Sequence, residues 1–330
     1  MKTTLIATGF LALANTVLAQ EKPVLSVYTY DSFASEWGPG PQVETAFEAV
    51  CGCDLRFVTA GDGAALLARV RLEGARTGAD VVLGLDTNLT AVAAETGIFA
   101  PHGLDLAPFD MPVEYRDEVF LPYDWGYFAF VYDTKIVSDP PKSFEDLATS
   151  DLKIVIQDPR SSTPGLGLLL WVKAAYGDRA PEIWVGLSDN ILTVTKGWSE
   201  SYGMFLEGEA DMVLSYTTSP AYHLIAEADD SKAAAAFVEG HYLQIEVAAK
   251  VASTDQPELA DQFMKFIQSD AFQGVIPETN WMYPARLPAA GLPEGFDTLI
   301  KPDTALLYSA DEAAKIREEA LQEWLTALSR

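Results

Sequence analysis

Apolar residues fall in short continuous runs, separated by stretches of helical period. Residues 24–30 (VLSVYTY), 55–58 (LRFV) and 79–85 (ADVVLGL) are rich in β-branched and aromatic side chains and read as buried strands. Between them, residues 41–50 put Val43, Ala46, Phe47 and Val50 on one face, and Gly52 closes that helix. Gly61-Asp62-Gly63 introduces a helix over 64–73, and Asp86-Thr87-Asn88 caps one over 89–95 that Gly97 ends. Nearly unbroken apolar strands alternating with helices predict an α/β fold whose parallel sheet is covered on both faces. Residues 101–116 carry neither period. Residues 121–133 (LPYDWGYFAFVYD) are too long and too apolar for an edge strand, and read as a crossing into a second lobe. There a strand at 154–157 leads through Ser162, Thr163 and Pro164 into a helix over 166–176. Residues 241–250 read as the return crossing, 257–267 as a helix, 276–284 as an irregular loop and 310–328 as a terminal amphipathic helix.

The most informative stretch is 198–222, WSESYGMFLEGEADMVLSYTTSPAY. A helix ending near Gly208 leads to a strand at 212–214, a hydroxyl-rich turn (Ser215 to Ser219), Pro220 and a second helix bearing Tyr222. Open α/β sheets present ligand sites at such strand ends, where new helices aim free N–H groups into a crevice. Trp198, Tyr216 and Tyr222 crowd this turn. Isolated aromatics are ordinary core, but aromatics beside a polar turn suit a flat or cationic ligand.

Composition narrows the function. Lys2, an apolar run over 5–18 and Val17-Leu18-Ala19 have the form of a signal peptide spanning 1–19, cleaved after Ala19. No cysteine follows that point, which argues against a lipid anchor, and no later apolar run could span a bilayer, since 166–172 is stopped by Lys173. A soluble exported protein is expected. The remaining length fits roughly two domains, and 49% hydrophobic residues with seven Trp exclude disorder. A formal charge of −26 disfavours nucleic acid and anionic membranes and favours a cationic ligand. Cys51 and Cys53 flank Gly52 and could form a small-ring disulfide, although such bridges are rare. His102, His223 and His241 have no ligand spacing, so no metal site is expected.

The blocks YTYDSFASEWGPGP, GDG, ADVVLGLD, DWGYFAFVYD, QDPRSSTPGLGLLLW, TVTKGWSESYG, LSYTTSPAYH, EGHYLQIEVAA and NWMYP together resemble the periplasmic thiamine-binding proteins of bacterial thiamine ABC transporters. The resemblance runs from Pro23 to the C-terminus. It implies the two-lobed type II solute-binding fold, with two crossover strands and the ligand in the inter-lobe cleft. Lobe 1 would comprise 20–122 with about 249–330, and lobe 2 about 123–248. Carried over by motif, ligand contacts fall on Asp62, Gly63, Ser162, Thr163, Trp198, Tyr216, Thr217, Thr218 and Ser219, with Tyr30, Tyr222 and Trp281 as ring-stacking neighbours. The resemblance also implies a non-enzymatic receptor without cofactor, for thiamine and its mono- and diphosphate. Its partners would be a membrane permease with a cytoplasmic ATPase, and we expect a monomer. On this reading Asp62 meets the thiazolium charge or the pyrimidine amine, and the start of the helix after Ser162 and Thr163 receives a phosphate. Lys196 is read as a solvated lysine.

Two other classes compete. A thiaminase of the cysteine-nucleophile type would need Cys51 or Cys53, yet no basic residue or His stands beside them to lower a thiol pKa. A ferric-ion receptor would use adjacent tyrosines, whereas Tyr216 and Tyr222 are separated by a proline; a polyamine receptor would use several carboxylates, of which the sequence offers only Asp62 plainly.

Overall fold

In a computed structural model, residues 22–329 are described; the expected signal peptide and its cleavage point lie outside them. The first lobe begins with strand β1 (Val24–Thr29), helix α1 (Gly40–Cys51), strand β2 (Asp54–Thr59), helix α2 (Gly63–Glu73), strand β3 (Val81–Asp86) and helix α3 (Thr87–Ala94). Strand β4 (Phe120–Asp133) leads to the second lobe, made of β5 (Ile154–Gln157), α4 (Thr163–Tyr176), α5 (Ala180–Leu187), β6 (Ile191–Thr195), α6 (Trp198–Leu206), β7 (Met212–Tyr216) and α7 (Pro220–Ala226). Strand β8 (His241–Val251), helix α8 (Pro257–Phe266) and helix α9 (Ala310–Leu328) complete the chain.

These strands run in the order β2-β1-β3-β8-β4-β7-β5-β6. Two long strands join the halves. In β4, residues 120–127 pair with β8 and residues 128–132 pair with β7, so one strand serves both lobes. Strand β8 lies between β4 and β3, antiparallel to both. The pairs β1–β2, β1–β3, β5–β6 and β5–β7 are parallel, as their βα connections require.

Most elements form where the patterning puts them. Strand β3 is buried along its whole length, as a strand covered on both faces must be. Helix α1 ends on Gly52 at φ 65°, and Cys51 and Cys53 on either side of it are joined as a disulfide. Helix α4 is apolar all round because residues 163–173 are all buried. Lys173, which interrupts that run, reaches Glu319 (3.0 Å) and Glu323 (2.7 Å) on α9. Helix α9 touches α3 of the first lobe and α4 and α5 of the second, and its first turn is fixed by a capping box between Ser309 and Glu312. One core gathers Phe33, Phe47, Tyr123, Phe263 and Phe272; the other centres on Phe130, Phe144, Trp171 and Phe237. No helix among the described residues is long and apolar enough to cross a membrane.

One glycine is tied directly to the cleft. Gly84 in β3 has φ 108°, and a Cβ there would lie 2.2 Å from the Tyr30 ring. Gly84→Ala is therefore expected to displace Tyr30 and lower the unfolding free energy by about 1–3 kcal/mol. An unchanged urea midpoint would contradict this.

Candidate ligand-binding site

A cavity of about 480 Å³ opens between the lobes. The first lobe contributes Tyr30 at the end of β1, Asp62 and Gly63 at the start of α2, Glu246 of β8, and Trp281. The second contributes Thr163 at the start of α4, Trp198 at the start of α6, Tyr216 and Ser219 at the end of β7, and Tyr222 on α7. Every one of these sits at a strand end, a helix start or a loop except Glu246, which is inside a strand.

The lobes are in contact. Asp62 precedes α2 in extended conformation and reaches across to the second lobe. Its carboxylate accepts from Ser162 Oγ (2.7 Å) and from the Trp198 backbone N–H (3.1 Å), the cap of α4 and the first residue of α6. The Gly63 N–H donates to Thr163 Oγ1 (3.2 Å), and the Ala65 N–H to the Ser161 carbonyl (3.1 Å). A carboxylate thus occupies two helix starts at once, where partial positive charge and free donors favour an anion.

The aromatic walls are held from behind. Trp198 stacks on Tyr202 (centroids 4.9 Å apart), lies beside Trp37 (6.2 Å), and donates through Nε1 to Ser215 Oγ (2.8 Å). Ser215 and Ser219 hydroxyls are 2.7 Å apart, and Ser219 also accepts from the Tyr216 N–H. Tyr202 is fixed by His223 (2.9 Å), which Glu227 holds at its other nitrogen (2.7 Å). Tyr222 meets Trp281 edge to face at 5.4 Å. Trp281 has φ 55°, a left-handed conformation that a bulky residue adopts only under constraint.

Nine of the twelve sequence-predicted residues line the cavity: Tyr30, Asp62, Gly63, Thr163, Trp198, Tyr216, Ser219, Tyr222 and Trp281. Ser162, Thr217 and Thr218 are fully buried behind it. The hydroxyls read as ligand donors are largely engaged inside the protein. Ser162 serves Asp62, and Thr218 points at the Met282 sulfur (3.6 Å).

The expectation of a single obvious acid is corrected: Glu246 and Glu278 also line the cavity. A glutamate inside the apolar strand QIEVAA was the available signal for Glu246. Trp37, an exposed tryptophan in a Gly/Pro turn, and Asn280, which donates to the Tyr30 hydroxyl (2.9 Å), also belong to the site and were not anticipated. Burial pushes the Asp62 carboxyl up to about 6, against the Ser162 and Trp198 hydrogen bonds that hold it down. Among the described residues no cluster of three His, Cys, Asp or Glu could hold a metal.

Two lobes joined by crossing strands around an aromatic, acid-bearing cleft are the build of a solute-binding receptor. The profile of bacterial extracellular solute-binding proteins matches residues 34–274, and the chain belongs to that family. It is 54% identical over 311 residues to a thiamine-binding periplasmic protein of Salmonella typhimurium, covering 94% of each chain. A thiamine-binding periplasmic protein of Brucella suis is 53% identical over 314 residues, again with 94% of each chain covered. Among solved structures, a periplasmic thiamin binding protein superposes with a TM-score of 0.91 at 53% identity, covering 94% of this chain and 97% of that one. A ferric binding protein from Campylobacter jejuni, at 19% identity, TM-score 0.75 and coverage of 92% and 99%, shares the fold.

Removing the Ser162 hydroxyl deprives the charged form of Asp62 of a donor, while a protonated carboxyl can donate for itself. The loss therefore grows as pH rises through about 6. Ser162→Ala should lower the unfolding free energy by about 1–3 kcal/mol at pH 8 and by clearly less at pH 5, read from urea titrations. Equal losses at both pH values would contradict an ionised Asp62 as the acceptor.

Proposed function

We propose that this protein is a periplasmic receptor that binds thiamine and delivers it to a membrane permease driven by a cytoplasmic ATPase. The carrying observation is the combination of aromatic walls with carboxyl groups in one cleft: Trp37, Trp198, Tyr222 and Trp281 around Asp62 and Glu246. Thiamine joins a flat aminopyrimidine to a permanently cationic thiazolium. Indole and phenol faces accommodate both rings, and each cation–π contact contributes about 0.5–2 kcal/mol depending on desolvation. Relatives at 53–54% identity carrying the name thiamine-binding periplasmic protein support the same ligand and compartment.

The phosphate esters fit the same reading if their anionic tail takes the place of the Asp62 carboxylate between Ser162 and the Trp198 N–H. An enzymatic role is not favoured. The cysteines that a thiaminase would use are bonded to each other at the end of α1 and do not line the cleft. Ferric-ion and polyamine receptors are not favoured either. Polyamine binding has gained carboxylates from the structure, but seven aromatic rings around the cavity favour a planar cation over a flexible one.

Calorimetry with thiamine, its two phosphates and spermidine tests the assignment. Thiamine should give saturable heat at micromolar protein, and Trp198→Ala and Tyr222→Ala should each weaken all thiamine forms together by about 0.5–2 kcal/mol. Absence of thiamine heat with spermidine heat present would overturn the assignment.

A further inference from the structure

The floor of the cleft carries a pair of acids whose hydrogen-bond donors are neutral groups. Glu246 of β8 and Asp124 of β4 face each other in the antiparallel register, so their side chains share one face of the sheet. Glu246 lines the cavity; Asp124 is fully buried behind it, and its Oδ1 has no hydrogen-bond partner. The groups around the pair are neutral donors. Tyr123 and Tyr30 hydroxyls donate to Glu246 Oε2 at 2.6 and 2.9 Å, the Gln244 amide to Oε1 at 2.9 Å, and the Asn280 amide to Asp124 Oδ2 at 2.6 Å. From β3 the facing residue is a third acid, Asp86, whose charge Arg317 of α9 offsets in part, and the Tyr216 hydroxyl at the end of β7 lies close enough to feel both acids. Among the described residues neither Glu246 nor Asp124 has a salt bridge with a lysine, arginine or histidine. Two adjacent carboxyls buried without a cation cannot both ionise, and retain a proton between them.

We propose that Glu246 is a charge-recognising residue of the cleft, and that the Asp124–Glu246 pair releases its shared proton to solvent when the cationic ligand enters. The exchange balances: one positive charge enters the site, one leaves, and the bond broken is a carboxyl O–H. The inference rests on the thiamine reading for the ligand's charge. Burial pushes Glu246 up to about 7 and moves Asp124 in the same direction, the latter also repelled by Glu246. A nearby cation lowers both. The free protein then binds more protons than the complex, so affinity rises with pH through the Glu246 range and levels off above it. A neutral ligand of the same shape gains nothing from the exchange, so the pair selects for charge.

The test is calorimetry of the full chain with thiamine at pH 6.5, in two buffers of different ionisation enthalpy, followed by an affinity series from pH 6 to 8.5. About 0.5–1 proton should be released per thiamine bound, with affinity rising about three- to tenfold from pH 6 to 7 and flattening above 8. Because Asp62 titrates nearby, a variant assigns the proton: Glu246→Gln should abolish the release and flatten the pH profile. If Glu246→Gln does not fold, as judged by circular dichroism, Glu246→Met takes its place and should likewise lose the release. Thiamine binding without buffer-dependent heat in the unmodified protein overturns the exchange and leaves the receptor assignment standing. Release kept in Glu246→Gln also overturns it, and absence of thiamine binding overturns the receptor assignment and the exchange together.

Discussion

The closed cleft depends on one carboxylate shared between two lobes. Asp62 leaves the first lobe and takes its hydrogen bonds from the second, at the starts of α4 and α6. Helix starts carry unsatisfied N–H groups and partial positive charge, so an anion stabilises both at once. This contact sets Trp198 opposite Tyr30 and Trp281, and the aromatic enclosure follows from it. The same carboxylate is half-buried, and burial raises it to about 6.

The polar residues of the site divide their work. Ser215, Ser219 and His223 hold Trp198 and Tyr202 in place from behind. Glu246 lines the cavity and Asp124 backs it, on the crossing strands β8 and β4. A binding site placed on strands that serve both lobes senses its occupant where the lobes are joined. The acids are costly to bury alone, and a bound cation relieves that cost.

Most of the fold was legible because its strands are apolar almost throughout and its helices carry clear stops. Residues 154–157 and 310–328 form the strand and the helix that the pattern predicts, and Gly52 ends its helix in the left-handed conformation. Helix α5 and strand β6 were not anticipated: APEIWVGL has proline at its second position and only eight residues, and ILTVT is short, so neither shows a full period. In the site, aromatics at strand and helix ends were legible, since bulky rings beside polar turns stand out. The roles of the hydroxyls were not. A serine or threonine in a turn satisfies a neighbour as readily as a ligand, and Ser162, Thr217 and Thr218 lie behind the cavity. Asp124 and Glu246 were hidden because their meeting depends on the register of two strands more than 100 residues apart in the chain.

The most direct measurement is a crystal structure of the protein with thiamine bound. The account predicts the vitamin between the lobes, its rings against Trp198, Tyr222 and Trp281 and its charge within reach of Glu246. Electron density for thiamine outside the cleft, or inside it with Trp198 and Tyr222 remote from the rings, would contradict the account.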